Sequence, residues 1–184
     1  MSPRVTILIS DTGGGHRSSA EAIREAVVTE TASLVRPRIV DVFLEYASFP
    51  FKNFPDWYPA IVSYASEFWG SAFRLSNGAQ RSRMLNYAAW PLVRGTVRRL
   101  ITEHPTDVIV SAHPLLVGSI IHGLRDPRPI FVTVVTDLVS AHAWWFDKRT
   151  DLTLVPTEYA RQRAVSCGLD PGRIKVLGLP VSKR

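Results

Sequence analysis

Residues Arg4 to Glu30 constrain the fold of this chain more than any other stretch. A β-branched run from Val5 to Ile9 leads into Asp11, Thr12 and the glycines Gly13, Gly14 and Gly15. His16, Arg17 and Ser18 follow, and then a helical pattern with Ala20, Ile23 and Val27 on one face. A strand, a glycine loop and a helix in this order predict a β-α unit. Residues without Cβ take positive φ angles and let a ligand come close to the backbone. The helix is expected to begin between His16 and Ser19, and Ser18 with Glu21 has the spacing of a capping box that favours the later start. In either case unpaired amides point back at the loop and attract phosphate or another anion.

His16 stands beside that anion site, at the carboxyl edge of the first strand, where open α/β sheets bind ligands. Neither common phosphate motif fits. No lysine occupies the P-loop position, and the pattern G-x-G-x-x-G would put its last glycine at Ser18. Asp41, at the end of an expected second strand from Arg36 to Phe43, leaves a dinucleotide site as a weaker reading.

The remaining pattern extends the α/β reading. A helix is expected over Arg81 to Glu103 with a break or kink at Pro91, a strand over Asp107 to Ser111, and a helix over Leu115 to Leu124. Strands are expected over Pro129 to Thr136, Leu152 to Pro156 and Ile174 to Leu177, with a helix from Thr157 that ends before Gly168. Alternating strands and helices predict a Rossmann-like parallel sheet with helices on both faces. Residues 1–178 form that domain, and 179–184 read as the start of a linker.

Between the second strand and the long helix the composition shifts, and 43–80 reads as an aromatic-rich insertion. Eleven of the chain's eighteen aromatic residues lie between Phe43 and Phe73, which marks either a lid packed on the sheet or a lipid-facing surface. Phe51, Phe54 and Trp57 fall in its least regular part and are the expected lipid contacts. The net charge of +6 is also uneven. Between Glu67 and Glu103 there is no acid, while Arg74, Arg81, Arg83, Arg94, Arg98 and Arg99 all fall there. Such a patch meets an anionic surface, lipid or nucleic acid, or forms a solvated helix face.

A single cysteine, Cys167, excludes an internal disulfide and fits a reducing compartment. No run approaches the roughly 20 apolar residues of a membrane span, and the first apolar run is too short for a signal peptide. A cytoplasmic protein with peripheral membrane association is expected. No pair among the five histidines and Cys167 has zinc-site spacing, so no metal is expected; no cofactor is expected either.

His16, His113, Asp137 and His142 all belong to loops predicted at one edge of one sheet. A histidine of near-neutral pKa suits removal of a hydroxyl proton, and a carboxylate can orient its ring. His16 is the candidate base, Asp137 its partner, and His113 and His142 the candidates for an acceptor cleft.

The string SDTGGGHRSSAEAI at 10–23 resembles the opening of the monogalactosyldiacylglycerol synthases and the related bacterial diacylglycerol glucosyltransferases. The resemblance continues in SAHPLL at 111–116, FVTVVTDL at 131–138, HAWWF at 142–146 and VLGLPV at 176–181. It runs through nearly the whole chain, although the family is about twice as long. It implies the N-terminal, acceptor-binding half of a GT-B glycosyltransferase, which transfers galactose or glucose from a UDP-sugar to diacylglycerol with inversion. Under that resemblance His16 matches the family's glycine-loop histidine, and Trp145 matches a tryptophan that contacts membrane or acceptor. The implied partners are diacylglycerol, an anionic membrane surface and UDP-galactose or UDP-glucose, the last held by a further domain, with no nucleic acid. Two alternatives stand beside it, an enzyme acting on another lipid-linked acceptor of the peptidoglycan-precursor type and a non-catalytic module binding lipid or anion.

Overall fold

The computed structural model describes residues 2–11, 14–47, 53 and 66–182. Six strands, β1 (Val5–Ile9), β2 (Arg38–Asp41), β3 (Val108–Ser111), β4 (Ile130–Val134), β5 (Leu152–Val155) and β6 (Ile174–Val176), form one sheet in the order β2-β1-β3-β4-β5-β6. Every neighbouring pair is parallel. The register sets Ile7 between Ile39 and Val110. The chain therefore winds one way from β1 to β2 and the other way from β3 to β6, and the direction switches between β1 and β3.

That switch distributes the helices, because right-handed crossovers wound in opposite directions fall on opposite faces. Ile7, Ile9, Val110 and Val134 pack against Ala20 of α1 (Gly14–Glu30). On the other face Leu8, Ile109 and Phe131 pack against α4 (Ala79–Glu103) and α5 (Pro114–Gly123) through Val97, Val117 and Ile120. The period-2 alternation of the strands thus feeds two cores. The helices α2 (Val42–Tyr46) and α3 (Ser66–Ser76) lie between β2 and α4, and α6 (Glu158–Ser166) joins β5 to β6. Contact between α4 and α5 is close enough to require glycine. A Cβ on Gly123 would collide with Val97 Cγ1, and one on Gly118 with the Asn86 amide.

Several boundaries differ from expectation. The first helix starts at Gly14, ahead of the predicted start, so His16 sits in its first turn and exposed Ser18 lies within the helix instead of capping it. Gly14 and Gly15 accept helical angles at about 1 kcal/mol each relative to alanine. The second strand stops at Asp41, whose Oδ1 accepts from the Leu44 amide at 3.0 Å and so opens α2. Tyr46 then fixes α2 to the end of α4: its hydroxyl donates to Glu103 Oε2 at 2.8 Å and lies 2.7 Å from His104 Nε2. At Pro91 α4 does not break, because the residue is exposed and water can take the carbonyl that it leaves unbonded. Thr157 caps α6 as expected, accepting from the Ala160 amide at 3.1 Å. After β6 the chain turns at Gly178, φ +81°, and Ser182 donates to Glu25 of α1 at 2.6 Å.

Phe51, Phe54 and Trp57, expected at a lipid surface, and Gly13 of the glycine loop lie outside the described residues. Among the described residues no helix is long and apolar enough to cross a membrane.

Candidate functional site

The switch between β1 and β3 opens a crevice at the carboxyl edge of the sheet, and two histidines meet there. His16 comes from the first turn of α1, directly after β1. His113 follows β3, and extended angles place it as the residue that precedes Pro114 at the start of α5. Their ring centroids are 4.7 Å apart in an edge-to-face arrangement. Thr136, just past β4, brings its hydroxyl oxygen to 3.0 Å from His16 Nδ1. The Trp145 ring lies 6.1 Å from that of His16, and Phe43 of α2 approaches His113 from another side at 6.0 Å.

Burial is the main influence on both imidazoles. It lowers the pKa of His16 below the ordinary value of 6.5, against the opposing pull of the Asp137 charge, the Ala112 carbonyl and the Asp11 charge. His113, 3 % exposed, is held well below that value by burial and then by the neighbouring His16. His16 is therefore a neutral ring at pH 7, able to accept a proton.

The expected partners of His16 are rearranged. Asp137 acts on it through charge and makes its own hydrogen bond elsewhere, accepting from the indole N–H of Trp145 at 2.8 Å. The direct polar neighbours of His16 are the Ala112 carbonyl and the side chain of Thr136, and sequence reasoning missed Thr136 although its place at the exit of β4 is readable. Trp145 is corrected more sharply. It was expected to contact membrane or acceptor, and it is fully buried in the core. The short 3-10 turn Ala143–Trp145 points it inward, where Asp137 satisfies its only polar atom.

His142 is also moved out of the acceptor cleft. Its Nδ1 accepts from the Trp144 amide at 3.1 Å, so the neutral ring carries its proton on Nε2 and donates to Ser76 Oγ at 3.1 Å. With Phe73 against its ring face, at 4.7 Å and 72°, it is 5 % exposed and has no nitrogen left for a substrate. Burial, the largest influence, and the Arg163 charge bring its pKa down to about 4, against the Phe73 carbonyl and Asp137. Asn77 completes this clamp, accepting from the Ala143 amide at 2.9 Å and from Arg163 at 2.7 Å. The clamp fixes the loop after β4 to the junction of α3 and α4.

The glycine-loop anion site changes character as well. Arg17 donates to Asp11 Oδ2 at 2.8 Å and lies 3.5 Å from Asp41 Oδ2, so its charge is met within the chain. Gly14 and Gly15 open α1, and a Cβ on Gly15 would meet nothing within 4 Å. Among the described residues no group of three or more His, Cys, Asp or Glu side chains could hold a metal ion. What converges on the crevice is a neutral imidazole with one ring nitrogen held by a hydroxyl, an aromatic wall and a nearby carboxylate. That arrangement suits removal of a proton from a substrate hydroxyl.

Comparison with known proteins adds relatives to this geometry. A family model described as "Monogalactosyldiacylglycerol (MGDG) synthase" matches residues 16–181. Over 97% of its length the chain is 37% identical to a probable monogalactosyldiacylglycerol synthase, chloroplastic, of Nicotiana tabacum, covering 34% of that protein. It is 34% identical to the monogalactosyldiacylglycerol synthase, chloroplastic, of Spinacia oleracea, covering 35%. Monogalactosyldiacylglycerol synthase 1, chloroplastic, of Arabidopsis thaliana is 32% identical, with 34% of it covered. The chain thus spans about a third of the length of these curated relatives, less than the half expected from the sequence.

Proposed function

The chain belongs to the monogalactosyldiacylglycerol synthase family, and from that premise we propose that it is the acceptor-binding part of an inverting lipid glycosyltransferase, with diacylglycerol as acceptor. The names of the relatives favour galactose over glucose, and UDP-galactose is the proposed donor, a co-substrate. The observation that carries this reading is the neutral, partly buried His16 at the switch point of the sheet, with Nδ1 beside Thr136.

In the proposed step the free hydroxyl of diacylglycerol loses its proton to the His16 imidazole while its oxygen bonds to the anomeric carbon of the sugar. The bond from that carbon to the β-phosphate oxygen of UDP breaks, and UDP leaves with the electron pair. His16 becomes an imidazolium, which the Asp137 charge favours. His113, neutral and buried beside it, adds no competing charge. The donor would lie opposite, across the crevice. The protein would meet its acceptor as a peripheral membrane protein.

The test joins this chain to the remainder of the spinach relative and follows transfer of labelled galactose from UDP-galactose to diacylglycerol. His16→Ala is expected to lower kcat by about 10²–10⁴-fold. In the parent enzyme, activity should fall with decreasing pH only below the ordinary histidine value of 6.5, because burial lowers the pKa of His16 and the base must be unprotonated. Near-full activity in His16→Ala, or an acid limb above 6.5, would reject His16 as the base.

A further inference from the structure

A second concavity, which shares no side chain with the crevice, lies between the first turns of α4, the later part of α5 and the carboxyl end of α6. It encloses about 190 Å³, less than the roughly 300–1,000 Å³ of sites for drug-sized ligands and cofactors. Arg83, Asn86 and Tyr87 reach it from one face of α4, at three- and four-residue spacing, and His122 reaches it from α5. Lys148 and Arg149 come from the segment that leads into β5. Phe146 and Cys167, both buried, form its floor. Two glycines admit these side chains. A Cβ on Gly118 would collide with the Asn86 amide, and one on Gly168, φ +90°, would stand 2.6 Å from Lys148 Cε and 2.8 Å from its Nζ.

The donors gathered here are largely unused within the chain. Asn86, half-buried, makes no hydrogen bond among the described residues, and Lys148 makes neither a hydrogen bond nor an ion pair. Arg83 bonds through Nε alone, to the Ala79 carbonyl at 3.2 Å, which leaves its two terminal nitrogens available. Arg149 is held by Asp147 at 2.6 Å, with Tyr87 close enough to act on its charge. Three cations therefore face one carboxylate, an excess of two positive charges. A cleft lined by one sign of charge concentrates the opposite sign.

We infer that this cavity is a binding site for a small phosphomonoester in solution, a dianion seated between Arg83 and Lys148 with Asn86 and Tyr87 donating to its oxygens. The guanidinium fork suits phosphate oxygens, and the ammonium supplies a point charge. Charge and size select the class. A single carboxylate balances only one of the two excess charges, and a nucleotide needs more room. The rings of Tyr87 and His122, edge-to-face at 5.1 Å, close one side. A bound ligand joins α4, α5 and the end of α6 to the segment behind Trp145, and so raises the melting temperature. None of the groups assigned to sugar transfer takes part.

The experiment is calorimetric titration of the chain with glycerol 3-phosphate, without lipid or sugar nucleotide. Wild type should bind it with a Kd at or below about 1 mM, bind acetate far more weakly and show no binding of glycerol. Arg83→Ala with Lys148→Ala should weaken binding at least about tenfold. Asn86→Asp, which sets a carboxylate where a donor stood, should weaken it as well. Arg36→Ala with Lys175→Ala removes the same charge from exposed positions off the cavity and should leave binding unchanged. All four residues of the alanine pairs are exposed, and both pairs should fold like the wild type. In NMR spectra the ring signals of Tyr87 and His122 should move on titration while those of His16 stay. Absence of binding in the wild type would overturn the inference, as would equal weakening by the two alanine pairs or equal affinity for acetate. So would movement of the His16 signals alone, which would place the anion at the glycine loop, or binding of phosphate only when vesicles carry it. Because no transfer is measured, failure here leaves the glycosyltransferase reading standing.

Discussion

Replacing Trp145 by Phe tests whether this residue belongs to the interior. Its indole is fully buried, and its N–H is held by the Asp137 carboxylate at 2.8 Å. Loss of a hydrogen bond to a charged group costs about 1.5–3 kcal/mol. The smaller ring gives up about two methylenes' worth of apolar contact, about 1.5 kcal/mol more. The sum, about 3–4.5 kcal/mol, lowers the melting temperature of a chain of this size by roughly 6–18 °C. Thermal denaturation by circular dichroism measures it directly. A double-mutant cycle with Asp137→Ala separates the hydrogen bond, whose coupling should lie at about 1.5–3 kcal/mol. A lipid-facing tryptophan would behave in the opposite way, with stability unchanged and vesicle binding lost. That pattern, or a coupling below about 0.5 kcal/mol, would refute the buried hydrogen bond.

Two further outcomes are expected. His142 stays neutral in the fold down to about pH 4, whereas the unfolded ring takes a proton near 6.5; the unfolded state binds more protons between those values, so stability falls as pH drops through that window. Denaturant unfolding at stepped pH should show this slope shrinking in His142→Asn, and an unchanged slope would remove His142 as its source. Gly123→Ala forces a Cβ against Val97 and to 3.2 Å from Trp90; overpacking of about 1–3 kcal/mol exceeds the helix-propensity gain of about 1 kcal/mol, so a melting temperature raised by the change would contradict the close α4–α5 contact.

Much of the fold could be read from the sequence because local signals agreed. The β-branched runs at Val5, Val108 and Ile130 end at turn or cap residues, and the Thr157 cap is set by its own side chain. Parallel order then brings His16 and His113 together, since both follow neighbouring strands. The direction of side chains in the loop after β4 was not legible. Trp144, Trp145 and His142 share one short sequence, yet Trp145 is held inward by Asp137, eight residues earlier, and His142 is directed onto Ser76, far away in the chain. Thr136 and Asp137 are likewise adjacent, and only the assembled sheet edge decides which of them touches the imidazole. The five-residue α2 escaped because it is too short for a periodic pattern and depends on one capping oxygen.

That capping residue has a wider consequence. Asp41 is 4% exposed and ends β2, the place from which a dinucleotide-binding fold offers a carboxylate to the ribose. Here Oδ1 opens α2, while Oδ2 accepts from the Asp11 amide at 3.1 Å and faces Arg17. Both oxygens are already engaged in closing the chain upon itself. The first β-α-β unit thus spends on its own backbone and on Arg17 the carboxylate that a dinucleotide-binding fold keeps for a ribose.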